Sequence, residues 1–118
     1  LADSGKYTFS KDDRILKRPE FLRLSRCGKK IQNRHFLIFY APGRENRTRL
    51  GVTITKRVGN AVTRNRLKRL ARECFRKGRH RFKGAWDISL IAKKISADLP
   101  AQRVINSIEE LFAEITNT

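Results

Sequence analysis

Apolar residues recur along this chain with two periods. Leu67, Leu70, Ala71, Cys74 and Phe75 stand at i, i+3, i+4, i+7 and i+8, a single stripe on a helix predicted from about Asn60 to Lys77. A second stripe, Val104, Ile105, Ile108, Leu111, Phe112 and Ile115, follows Pro100 and predicts a last helix. Elsewhere the period is two. In TRLGVTITKR at 48–57, Leu50, Val52 and Ile54 point one way and Gly51, Thr53, Thr55 and Arg57 the other, so one strand face is buried and the other open or lightly covered. Trp86, Ile88, Leu90 and Ala92 share one side of a further strand. Residues 31–41, IQNRHFLIFYA, are rich in β-branched and aromatic side chains and read as a strand, with Leu37 and Phe39 on one face and Phe36, Ile38 and Tyr40 on the other. The turn-forming residues Pro42–Asn46 connect it to the next.

Ser10, followed by Asp12 and Asp13 in a first turn, reads as a helix start. Pro19 interrupts it, Pro19–Leu24 restarts a helix with proline in its first turn, and Gly28 closes it. Residues 1–9 read as a flexible N-terminal segment and 10–118 as a single domain. The order helix, strands, helix, strand, helix predicts an α+β fold, a small two-layer α/β sandwich with helices on the apolar face of a sheet.

Charge changes the picture most. The 118 residues carry 28 Lys and Arg against 11 Asp and Glu, a net charge of +17 with a pI near 11.1. Such self-repulsion is relieved by a large polyanion, nucleic acid before a membrane surface, because no apolar run reaches the roughly 18 residues of a span. No signal-peptide pattern is read at the N-terminus. Cys27 and Cys74 are too few for a disulfide framework and read as reduced, small buried hydrophobes of a cytoplasmic protein.

The charge is also placed. On a helical wheel with Leu67 at 0°, the apolar stripe spans roughly −60° to +80°, while Arg64, Asn65, Lys68, Arg69, Arg72 and Arg76 fall between about 60° and 200°. Arg66 and Lys77 lie on the opposite flank near Glu73. A charge run is usually a solvated face, in which acids at i and i+4 offset the bases. Residues 58–83 hold ten bases and one acid, Glu73, expected to face Arg69 or Lys77. That imbalance points to a phosphate-binding surface, and the predominance of arginine to forked contacts with phosphate oxygens. Gly59 and Asn60 precede the helix just after Lys56 and Arg57, so free amides there form a further anion site. Phe21 and Phe39 line a groove for stacked bases if the first helix covers only part of the open sheet face.

Catalytic chemistry has no support of this kind. His35, read in a strand beside Phe36, and His80 have no partner carboxylate at a telling spacing, and Asp12, Asp13, Glu45, Asp87 and Glu109 are scattered. No catalytic or metal-ligating residue is assigned.

The run from Lys56 to Glu73, KRVGNAVTRNRLKRLARE, resembles the arginine-rich signature of the bacterial ribonuclease P protein subunit. A basic start at Arg14–Lys17 before Phe21, a strand at Asn33–Tyr40, Leu50–Thr55 leading into the motif and Ile88–Lys94 after it extend the similarity over about residues 10–115. The resemblance implies a ribosomal protein S5 domain 2-like fold, ordered α-β-β-β-α-β-α, with a left-handed β-α-β crossover where general rules give a right-handed one. It also implies a protein that pairs with a large catalytic RNA, which uses Mg2+ to remove the 5′ leader of precursor tRNA. No membrane and no obligate protein partner is implied. By position, Phe21, Phe39, Lys56 and Arg57 match leader-cleft residues, and Arg64, Asn65, Arg66, Lys68, Arg69 and Arg72 match the RNA-facing motif. Where some relatives carry a second aromatic one turn after the first, this chain has Ser25. A general RNA-binding or ribosomal assembly protein accounts for charge and architecture but not for the length of the match. An autonomous nuclease requires cleavage by the protein alone.

Overall fold

In the computed structural model, which describes residues 9–117, Asn33 divides the first predicted strand in two. Its side-chain carbonyl accepts from the amides of His35 and Phe36, at 3.0 and 2.9 Å. This local turn takes residues 33–35 out of the extended conformation. The result is an antiparallel hairpin of β1 (Lys29–Gln32) and β2 (Phe36–Pro42). His35 therefore sits in the turn, with Nδ1 3.1 Å from Ser107 Oγ.

The remaining elements come in the predicted order: α1 (Arg18–Cys27) before the hairpin, then β3 (Arg49–Thr53), which ends four residues short of the strand read over 48–57, α2 (Ala61–Gly78), β4 (Trp86–Ala92) and α3 (Ala101–Thr116). The predicted helix start at Ser10 is a single 3-10 turn, Lys11–Asp13. There the Asp13 carboxylate accepts from the backbone amide and the hydroxyl of Ser10. Residues 1–8, most of the segment read as flexible, lie outside the described residues. Phe9, read with them, packs edge-on against Phe75 at 5.5 Å between ring centres.

The sheet order is β1-β2-β4-β3, with β4 antiparallel to β2 and parallel to β3. The parallel β3–α2–β4 unit places α2 and α3 over one face. The two predicted stripes and the alternating residues of the strands meet there: Leu67, Phe75, Ile88, Leu90, Val104, Ile108 and Leu111 are all at most 1% exposed. Burying a leucine, isoleucine or phenylalanine side chain of this kind contributes roughly 1.5–3 kcal/mol, so this face is where the stability resides. Cys74 is buried among these residues, whereas Cys27, also expected to be buried, is exposed at the end of α1.

Helix α1 lies across the other face. Its one fully buried side chain is Leu24. Gly28 lets the helix end close against β2, since an added Cβ would meet Leu24 O at 2.6 Å and Tyr40 O at 3.0 Å. The rest of the attachment is ionic. Asp87, wholly buried on β4, accepts from Arg23 of α1 at 2.6 Å and from Nε and Nη2 of Arg49 of β3 at 3.0 Å each. Arg49 also reaches Glu20 of α1 at 3.0 Å. The Asp87 and Glu20 carboxylates hold the Arg49 guanidinium more firmly protonated than usual. Removing one partner of such a buried set strands the other charges, which costs far more than the set contributes.

Candidate nucleic-acid interface

Asn60 starts α2 by accepting the Thr63 amide on Oδ1 at 2.9 Å. That cap occupies one of the amides the anion-site reading counted as free. The space left by the missing side chain of Gly59 is taken by Thr63, whose Cβ and Cγ2 would lie 3.1 and 3.0 Å from an added Cβ. Arg64 Nε donates to the Gly59 carbonyl at 3.2 Å. The close approaches at Gly59 and Asn60 are therefore made by the chain itself.

Besides Arg64, two further motif arginines are engaged internally. Arg66 donates from Nη2 to the Leu99 carbonyl at 2.8 Å, which places the segment before α3 on the flank of α2 away from the predicted comb. Glu73 binds Arg76, at 2.8 Å to Nη2 and 3.2 Å to Nε, rather than Arg69 or Lys77. The guanidinium fork meets both carboxylate oxygens from one turn away, a geometry lysine cannot offer. The hydrogen bonds from Arg76 hold the Glu73 carboxyl below its ordinary range.

Arg64, bonded through Nε to a backbone carbonyl, and Lys68, Arg69 and Arg72, with Asn65, form the comb. Among the described residues none of these four cations has a carboxylate partner at ion-pair distance. Asn65, Lys68, Arg69 and Arg72 line a concavity of about 420 Å³ together with Phe9, Arg14 and the paired Glu73 and Arg76, so Glu73, expected on the opposite flank, borders the comb. Burial and the nearby Arg14 charge pull the Arg72 guanidinium below its usual range.

A second concavity, about 210 Å³, opens between α1 and the sheet. Phe21 forms one side, and its ring lies directly over Gly51, where any Cβ would overlap it. Arg14 and Arg72 also line this space. Gly51, Ser89, Phe39 and Lys30 form one row across the four strands, so Phe39 lies on the same face as Phe21, two strands from Gly51 and half-buried. Lys56 and Arg57 are exposed in the turn that follows β3 and do not line the concavity. Ser25, in the place of a second aromatic, donates to the Leu22 carbonyl at 3.0 Å and presents no stacking surface.

Sequence reasoning missed Arg14 as a wall of both concavities and the Arg23–Asp87–Arg49–Glu20 set that seats α1. The one available signal was Gly51, because an isolated glycine within an alternating strand marks a close approach by another group. Among the described residues no three His, Cys, Asp or Glu side chains gather as metal ligands. The two buried carboxylates, Asp13 and Asp87, are committed to arginines. These donors do not fit a protein-borne Mg2+ site.

A family model described as Ribonuclease P matches residues 9–116. The ribonuclease P protein component of Desulfatibacillum aliphaticivorans is 44% identical over 112 residues, covering 95% of each chain. That of Desulforapulum autotrophicum is 43% identical over 114 residues, covering 97% of each. The solved structure of the Staphylococcus aureus RNase P protein superimposes with a TM-score of 0.83 at 32% identity, covering 89% of this chain and 98% of that one. The Thermotoga maritima RNase P protein gives 0.76 at 27% identity, over 89% and 96%. With the three helices and four-stranded mixed sheet in the same arrangement, the chain belongs to the family of ribonuclease P protein components.

Proposed function

We propose that this chain binds a catalytic RNA through the α2 comb and the 5′ leader of precursor tRNA through the cleft beneath α1. In this way it assists Mg2+-dependent removal of the leader while contributing no catalytic group of its own. The observation that carries the reading is the row of Arg64, Lys68, Arg69 and Arg72 left without carboxylate partners beside a concavity of about 420 Å³. Each such cation that neutralises a phosphate releases about 0.9 of a counterion, so four of them supply a strongly salt-dependent affinity. The cleft adds the apolar half of a single-strand site, with Phe21 and Phe39 on one sheet face for unpaired bases and Lys56 and Arg57 at the strand end for the backbone. Any Mg2+ of the reaction is held by RNA and phosphate oxygens in this reading.

Reconstitution tests it. The protein alone cleaves no precursor tRNA, and added to a bacterial ribonuclease P RNA it lowers the Mg2+ concentration required for correct 5′ processing. Phe39→Ala weakens binding of precursor tRNA by about 1–3 kcal/mol and leaves mature tRNA unaffected. An unchanged Mg2+ requirement on adding the protein defeats the proposal.

A further inference from the structure

Arg14 and Arg72 are the two residues shared by the concavity beside α2 and the cleft under α1. They are close enough for the charge of Arg14 to act on Arg72. Like charges brought together in a folded chain normally have acids nearby to hold them, yet among the described residues no carboxylate lies at ion-pair distance from either, although Asp12 and Glu45 share a third concavity, of about 510 Å³, with Arg14. Asp13 is bound by Arg47 and Arg79 at 2.9 Å each, and Glu73 by Arg76 at 2.8 Å. Nor is Arg14 free to swing away. Its backbone bridges to Leu50, the next residue's amide donates to the Leu50 carbonyl at 3.0 Å, and Ile15 is buried at 2% exposure. The guanidinium stacks over the Phe9 ring at 4.9 Å, and its Nε is enclosed without any hydrogen-bond acceptor. Two partly dehydrated guanidiniums are thus held together, and among the described residues no carboxylate is bound to either.

We propose that Arg14 and Arg72 jointly hold one phosphodiester of an RNA strand where the Phe21 cleft opens onto the α2 face. Two guanidinium forks converging on two non-bridging oxygens suit that group, and its negative charge relieves their repulsion. The site would fix the path of the strand between base-stacking surface and comb. It deepens the function proposed above and rests on that reading only for the source of the phosphate, which is the substrate leader or a strand of the catalytic RNA.

The test is a double-mutant cycle on the full chain, using a labelled single-stranded RNA oligonucleotide over a series of salt concentrations. Arg14→Gln and Arg72→Gln should each weaken binding about tenfold and lower the salt slope by about one. The double variant should lose no more than about tenfold, because one phosphate needs both partners. Additive losses near a hundredfold, or no loss, overturn the site. Arg14→Lys guards against a folding defect: it should keep the salt slope while losing affinity, since charge remains and the fork does not. Full affinity in Arg14→Lys, or loss of its slope, also counts against the site.

The source is then read in holoenzyme reconstituted with the catalytic RNA, using precursor tRNA with one uncharged methylphosphonate linkage moved along the leader. If one position abolishes the Arg14→Gln deficit, the phosphate is the leader's. A deficit confined to affinity for the catalytic RNA assigns it to that strand, and a deficit in neither overturns the proposal. Should wild-type protein fail to distinguish precursor from mature tRNA, the leader reading falls while the oligonucleotide cycle still decides the site.

Discussion

Asp13 is 1% exposed, yet its carboxyl is held below the ordinary range. Burial alone would raise it. The Ser10 amide, then Arg79 and Arg47, outweigh that by donating to or facing the charged form. A carboxylate depressed on folding contributes stability that is fully present above its unfolded value, about 3.9, and is lost as the pH falls through the lower folded value. Asp13→Asn should therefore lower stability at pH 7 by about 2 kcal/mol and flatten the decline in unfolding free energy below about pH 4. Urea titrations of both proteins from pH 2 to 7 check it, and parallel curves would remove Asp13 from the account. Gly51 makes a different test. Gly51→Ala forces the Phe21 ring off the sheet and crowds Ile15 Cβ at 3.1 Å. It should cut the preference for precursor over mature tRNA nearly as much as Phe21→Ala does, by about 1–3 kcal/mol if a base stacks there. Equal ratios before and after would mean the ring position is irrelevant to binding. Residue types in the comb were legible because helical spacing decides which side chains share a flank. The partners of Asp13 and Asp87 were not, since Arg47 and Arg23 stand 34 and 64 residues away and no periodicity relates them.

At the scale of elements, α2 divides its cations between two tasks. Arg66 ties the helix to the Leu99 carbonyl at 2.8 Å, and Arg69 stands exposed on the comb. The resemblance alone groups both as RNA-facing, while the helical wheel already set Arg66 apart on the other flank. Arg66→Ala should lower stability by about 1–2 kcal/mol through loss of a charge-assisted bond and barely change the salt slope of RNA binding. Arg69→Ala should do the reverse, leaving stability within about 0.5 kcal/mol and reducing the slope by about one. Thermal melts paired with salt titrations separate the two, and identical behaviour would dissolve the division. Both long helices and the two later strands were readable from period alone, because their apolar faces are continuous and buried against one core. The β1–β2 break was not, because two amides accepted by the Asn33 side chain outweigh the β propensity of the residues around it.

For the molecule as a whole, a net charge of +17 has two consequences with different geometry. Diffuse charge steers any polyanion towards the chain and weakens smoothly with salt, whichever cations supply it. A docking face instead ties affinity to particular positions. The fold separates these because charge is unevenly spread: Glu109, Glu110 and Glu114 lie exposed on α3, whereas the comb flank of α2 faces Phe9 and Arg14. Arg34 and Arg103 line a separate concavity of about 280 Å³ beside α3, together with Glu110. Replacing Lys68 and Arg69 by alanine, or Arg34 and Arg103 by alanine, removes two positive charges in each case. If net charge alone governs binding of a ribonuclease P RNA, the two doubles should lose affinity equally. If α2 docks, the Lys68/Arg69 double should reduce the slope of log K against log salt by about two while the Arg34/Arg103 double leaves it within error of wild type. The comparison is made at equal net charge and with both variants folded, since all four side chains lie outside the core. Only the position of the lost charge then differs, and equal slopes would reduce the comb to an accident of composition.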